Sequence, residues 1–199
     1  MKDEKLIIFI KNPVAGKVKT RIAKSLGNEK ALEIYLHLLE LTRNVVLETD
    51  CEKYLFYSDA IEGDAWDEND FKKHLQQGGD LGDRMENAFD RLFSNKGEKV
   101  LVIGSDCPEL TSEIIERAFQ LLDQKDVVIG PAKDGGYYLL GMKKPSPFLF
   151  DDKEWSTDSV FEDTVVDLME NRLSYGLLPT LSDVDNIYDL HLLPDKFGP

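Results

Sequence analysis

An open, mostly parallel α/β sheet flanked by helices is the architecture this 199-residue sequence predicts. Three observations carry it. Continuous apolar runs at Leu6 to Ile10 (LIIFI) and Val100 to Gly104 (VLVIG) read as strands buried on both faces. Amphipathic stretches of helical period separate the strand-like runs. The two kinds of segment alternate along the chain, with no linker, repeat or low-complexity tract, so residues 1–199 are expected to form a single domain.

Taken in order, Leu6 to Ile10 predicts a central strand, and Asn12 to Lys19, with Pro13 and Gly16, a loop. Thr20 is expected to cap a short helix ending near Gly27. Ala31, Ile34, Leu38, Leu41 and Val45 then predict a long helix over 29–48. Tyr54 to Ser58 reads as a strand, the acidic stretch 62–70 as a surface excursion, and Phe71 to Gln77 as a short strand before the Gly78-Gly79 turn. Leu81, Met85, Ala88, Phe89 and Leu92 share a helical face, and Thr111 opens a helix through Leu122. Val127 to Ile129 and Gly136 to Met142 predict strands, Thr157 to Leu173 a helix, and Tyr175 to Leu181 a last strand.

Composition narrows the function classes. The apolar share of 42% and charged share of 31% are ordinary for a globular protein, and no apolar run approaches the ~20 residues that span a bilayer. Cys51 and Cys107 form no paired framework, and no signal sequence is evident, so a reducing cytoplasm is the expected location. A net charge of −14 argues against a nucleic-acid partner. Yet Lys5 to Asn28 holds six basic residues and no acidic one. A local cationic loop on an acidic body suits a small anion, although a solvated basic stretch is the plainer alternative.

Ligands of open α/β sheets lie beyond the carboxyl ends of the strands, so the loops there are the candidates. In the first, Lys11, Gly16, Lys17, Lys19 and Arg21 lead into a helix, combining amide donors with fixed positive charge for a nucleotide phosphate; the spacing is not that of a Walker loop. In the second, Asp106 follows a buried strand, where it could hold a divalent metal against phosphate oxygens or simply cap its own turn. In the third, Asp134 could hydrogen-bond sugar hydroxyls or serve the reaction as a catalytic group, with Gly135, Gly136 and Tyr137 beside a sugar or acceptor; a plain hairpin turn is the competing reading. Arg84 could face a phosphate or pair with Asp80 or Asp83. Asp183 and Asp185 could supply further metal ligands or form a solvated acidic turn. The scattered His37, His74 and His191 do not suggest zinc.

Together, FIKNPVAGKVKTR at 9–21, GSDCPEL at 104–110 and GPAKDGGYYLLG at 130–141 resemble a bacterial family of GT-A-like glycosyltransferases assigned by similarity and formerly described as a domain of unknown function. QGGDLGDRM at 77–85 and DVDNIYDL at 183–190 look like further motifs of it, so the resemblance spans roughly 6–190. It implies a nucleotide-diphospho-sugar transferase fold, related to molybdenum-cofactor and phospholactate guanylyltransferases. It also implies that Lys19 and Arg21 belong to the phosphate loop and that Asp106 holds the metal, with the Asp183 to Asp185 stretch nearby. Ser105-Asp106-Cys107 departs from the D-x-D of many glycosyltransferases of this fold and resembles the single-aspartate loop of nucleotidyltransferases.

The leading expectation is therefore a transferase using Mg2+ or Mn2+ that moves a sugar from a nucleoside-diphosphate sugar to a small-molecule acceptor. Nucleotidyl transfer with release of pyrophosphate is the alternative, and a nucleotide-binding module without turnover is a third reading.

Overall fold

The computed structural model describes residues 3–94 and 97–197. Its strands are β1 (Glu4–Ile10), β2 (Glu52–Tyr57), β3 (Phe71–Leu75), β4 (Lys99–Ile103), β5 (Val127–Pro131), β6 (Tyr137–Met142) and β7 (Tyr175–Leu177). Its helices are α1 (Thr20–Leu26), α2 (Asn28–Leu47), α3 (Leu81–Leu92), α4 (Ser112–Gln124) and α5 (Val160–Glu170). The strands form one seven-stranded sheet in the order β3-β2-β1-β4-β6-β5-β7. All neighbouring pairs are parallel except β4 with β6 and β5 with β6, so β6 is the one antiparallel strand. The open, mixed, mostly parallel α/β sheet expected from the alternation is the sheet observed.

Both faces of the sheet are covered, which is why the central strands are apolar throughout. One face, carrying Leu6, Ile8, Leu101 and Ile103, packs against α2 and α4 through Tyr35, Leu39, Ile115 and Phe119. The other, carrying Ile7, Val100, Val102 and Leu140, packs against α3 and α5 through Met85, Phe89 and Leu168. A third cluster joins Ile22 of α1 and Ile34 of α2 to Val184, Leu190 and Phe197, so the C-terminal segment is fastened beside α1.

Helix starts follow the side chains available to satisfy the first free amides. Thr111 accepts from the Ile114 amide to cap α4, and Asp80 accepts from the Asp83 amide at 2.9 Å to cap α3. Thr20 does not cap α1, contrary to expectation. It is the first helical residue, and the cap position falls on Lys19 in the left-handed region at φ 45°, without a side-chain bond.

Two further boundaries differ from the expectation. α5 begins at Val160 rather than Thr157, because residues before it wind along the rim of a cleft, with Ser156 at φ 67°. It ends at Glu170, and Arg172 at φ 56° turns the chain away. β7 stops at Leu177 because Pro179, without an amide hydrogen, cannot continue the ladder. An isolated bridge at Leu181 to Ala132 keeps the chain beside β5 and carries it on toward Asp183.

Candidate active site

The chain turns outward on opposite sides of β1 and β4, which lie side by side and parallel, with Ile8 opposite Ile103. This is the switch point of the sheet, where connections diverge and leave a crevice. A cleft of about 910 Å³ opens there, lined from the loops after β1, β3, β4 and β5, from the first turn of α3, and from residues before α5. Because β6 is antiparallel, its first residues, Tyr137 and Tyr138, reach the same end.

The loop after β1 is fixed at its root. Tyr35 of α2 accepts from the Lys11 amide at 2.8 Å and donates to the Lys11 carbonyl at 3.1 Å; burial pushes its hydroxyl pKa up, so it stays protonated. The buried Asn12 side chain accepts from the Asp59 amide at 2.9 Å and donates to the Ala60 carbonyl at 2.8 Å and to Glu62 at 2.9 Å. Gly16, at φ 80°, turns the loop but lies outside the cleft lining, which takes Lys11, Lys17, Lys19 and Arg21.

Lys19 is the centre of the arrangement. Its side chain is only 5% exposed, and its ammonium lies 2.8 Å from Asp106 Oδ1 and 3.5 Å from Asp185 Oδ1. Arg21, largely exposed, reaches Asp185 at 3.7 Å. The Asp106 carbonyl accepts from the Val184 amide at 2.9 Å, which brings the segment 183–185 over the loop after β4. Asp183 is pushed up to about 7, chiefly by burial and then by Asp106, Asp134 and Asp185, with Lys19 acting in the opposite direction. The four aspartates named from sequence thus share one electrostatic environment. Among the described residues, however, no three His, Cys, Asp or Glu side chains are gathered so as to hold a metal alone.

The remaining candidates are placed less uniformly. Asp134 is exposed, and its Oδ1 accepts from the Gly136 amide at 3.0 Å, the local turn that a plain hairpin reading anticipates. Gly135, at φ 90°, presses against the backbone of Asp158: a Cβ there would stand 2.0 Å from the Asp158 carbonyl oxygen. Its close approach is to protein, and it is not among the cleft lining, whereas Gly136 and Tyr137 are. Arg84 lines the cleft from α3 and donates to the Gly78 carbonyl at 3.3 Å and to Gln76 at 3.5 Å. Asp80 and Asp83, which the sequence offers as alternative partners for it, accept from backbone amides.

Tyr35, Gln76 and Trp155 to Asp158 line the cleft without having been singled out from sequence. Tyr35 lay within the period of a helix that reads as core. The indole of Trp155 sits on Gly82, where a Cβ would stand 2.3 Å from its Nε1, a contact no local pattern shows. Cys107 lines the cleft, and burial and then Asp183 push its thiol up to about 12.

The fold is that of nucleotide-diphospho-sugar transferases and nucleotidyltransferases. A candidate nucleotide-diphospho-sugar transferase of Desulfovibrio desulfuricans G20 superposes with a TM-score of 0.86 at 33% identity, covering 96% of this chain and 86% of that one. CMP:2-keto-3-deoxy-manno-octonic acid synthetase, solved with CTP, shares the fold at TM-score 0.60 and 9% identity, covering 94% of this chain and 95% of that one. The 2-phospho-L-lactate guanylyltransferase of Methanocaldococcus vulcanius is 24% identical over 138 residues, which are 69% of this chain and only 61% of the relative.

The chain belongs to the family described as an uncharacterized protein conserved in bacteria (DUF2064), which matches residues 41–157. No helix among the described residues is long and apolar enough to cross a membrane.

Proposed function

We propose that this protein transfers a nucleotidyl group from a nucleoside triphosphate to an oxygen of a small-molecule acceptor, releasing pyrophosphate. The observation that carries the reading is the buried Lys19 ammonium shared by Asp106 and Asp185 at the switch point of the sheet. It reverses the order of the two reactions expected from sequence. The guanylyltransferase relative and the single-aspartate metal loop support this order.

In this reading Lys11, Lys17, Lys19 and Arg21 neutralise the phosphates. Positive charge fixed before reaction stabilises charge that develops on the departing group without reorganisation. Asp106 and Asp185, with Asp183 beside them, offer only oxygen ligands, which fits Mg2+ or Mn2+ and not a soft metal. Two carboxylates do not complete such a shell, and phosphate oxygens and water would supply the rest, the usual arrangement for Mg2+. The ion would polarise phosphate oxygens. Asp134, reached from the β5–β6 turn, is the group assigned to take the acceptor proton.

Glycosyl transfer from a nucleoside-diphosphate sugar is the second reading, favoured by the Desulfovibrio structure and its description. Each nucleoside triphosphate and each diphosphate sugar is incubated with acceptor mixtures and Mg2+ or Mn2+, and the released group is identified. Pyrophosphate supports the first reading, a nucleoside diphosphate the second, and neither product together with no nucleotide binding overturns both.

A further inference from the structure

The two walls of the cleft differ in charge in a way that bears on the acceptor. The cations lining it are Lys11, Lys17 and Lys19 from the loop after β1, Arg21 from the first turn of α1, and Arg84 from α3. The wall made by residues 155–158 and the β5–β6 turn contributes Trp155, Ser156, Thr157 and two carboxylates, Asp134 and Asp158, and among the described lining residues no cation. Asp183, on the floor nearby, feels the Asp134 charge. Two lysines adjoin this wall in sequence: Lys133 is exposed in the β5–β6 turn but outside the cleft lining, and Lys153 has a side chain 3% exposed and bound to Asp167 at 2.6 Å.

The wall is preformed rather than a loose loop. Trp155 rests on Gly82 at one end and is stacked 6.4 Å from Phe150, and the Asp158 backbone rests on Gly135. The Phe161 amide donates to the Gly135 carbonyl at 2.9 Å. Thr157 donates to the Glu154 carbonyl at 2.8 Å, closing the turn from within. Ser156 holds a left-handed conformation at φ 67°, which a non-glycine residue keeps only where its surroundings impose it.

We infer that this wall receives the acceptor, and that the acceptor is an uncharged molecule carrying hydroxyl groups, not a phosphorylated one. Among the residues lining this wall a phosphate monoester would meet two carboxylates and no lysine, arginine or histidine, whereas hydroxyls would find acceptors in Asp134 and Asp158 and an aromatic surface in Trp155. The inference rests on the transferase reading for its reaction. The acceptor O–H bond breaks with its proton passing to Asp134, the acceptor oxygen bonds to the α-phosphorus, and the bond from that phosphorus to the β-bridging oxygen breaks, so that pyrophosphate leaves toward the cationic loop. The same acceptor class would serve a diphosphate-sugar donor.

The indole Nε1–H resonance of Trp155 is a direct reporter. The chain has two tryptophans, Trp66 is buried, and Trp155→Phe assigns the second signal. Hexoses, hexitols and N-acetylated amino sugars are titrated in matched pairs with their phosphate monoesters, with and without nucleotide and Mg2+. At least one uncharged member is expected to move the Trp155 signal, with its phosphate ester binding at least about tenfold more weakly. Equal or tighter binding of the ester, or no shift with any uncharged member, would overturn the inference. Asp158→Lys, at an exposed position, is expected to bring the ester to within about threefold of its uncharged partner, and no gain would count against the charge argument. Nucleotide binding, followed by calorimetry in the same samples, reports separately on the transferase reading: its absence alongside a Trp155 shift would remove that reading and leave the acceptor wall.

Discussion

Lys19 Nζ lies 2.8 Å from Asp106 Oδ1, joining the loop after β1 to the loop after β4 across the switch point. A single ammonium, 5% exposed, therefore compensates part of an acidic group that also includes Asp183 and Asp185. In the proposed reading, removing it takes a cation from the phosphates and leaves Asp106 without its ion-pair partner. Lys19→Ala is expected to weaken nucleotide binding by roughly 1 to 3 kcal/mol, measured by calorimetry with Mg2+ at fixed ionic strength. Unchanged affinity would remove the phosphate loop from the site.

Asp106→Asn keeps the shape of the side chain and removes its charge. If Asp106 holds a divalent ion, the variant should lose most of the increase in melting temperature that Mg2+ or Mn2+ adds to nucleotide, since a ligand stabilises a fold only as far as it binds it. A metal-dependent increase as large as that of the unmodified protein would exclude Asp106 as a ligand.

Asn12 holds the root of the phosphate loop through the 58–62 segment, using its carbonyl and both amide hydrogens. Asn12→Ala empties a buried position and removes these bonds to the 59–62 segment, and is expected to cost about 2 kcal/mol of stability in urea unfolding. It should also raise the KM for nucleotide more than it lowers kcat. A variant as stable as the parent would show that Asn12 is dispensable to the loop.

Asp126 carries the pH dependence that can be read most directly. Hydrogen bonds from the Ser174 hydroxyl at 2.6 Å and the Ser174 amide at 3.0 Å hold its carboxyl below its usual value. A carboxyl depressed in the folded state stabilises the protein above its ordinary pKa of about 4, and that contribution disappears as pH falls through the folded value. Ser174→Ala should therefore cost about 1 kcal/mol at pH 7, a cost that shrinks as pH falls through the folded value. A cost that does not change with pH would assign the effect to packing.

The elements that could be read from sequence are those whose signal is local. β1 and β4 are continuous apolar runs, and such runs occur where both faces of a strand are covered. α2, α3 and α4 carry their buried residues at helical period, and Thr111 announces its cap. Gly16 and the lysines around it, Asp106, Asp134 and Asp183 to Asp185 stand out because loops after buried strands are where such residues are unusual.

Sequence by itself determined the strand and helix alternation, the cationic stretch and the three loops, because hydrophobic period and turn chemistry act over a few residues. Tertiary structure alone decided that β6 runs antiparallel between β4 and β5, that Lys19 meets Asp106 and Asp185, that Arg84 bonds to Gly78 and Gln76, and that Trp155 rests on Gly82. Nearly all of these are contacts between segments far apart in the chain, and only packing both faces of one sheet brings such segments together.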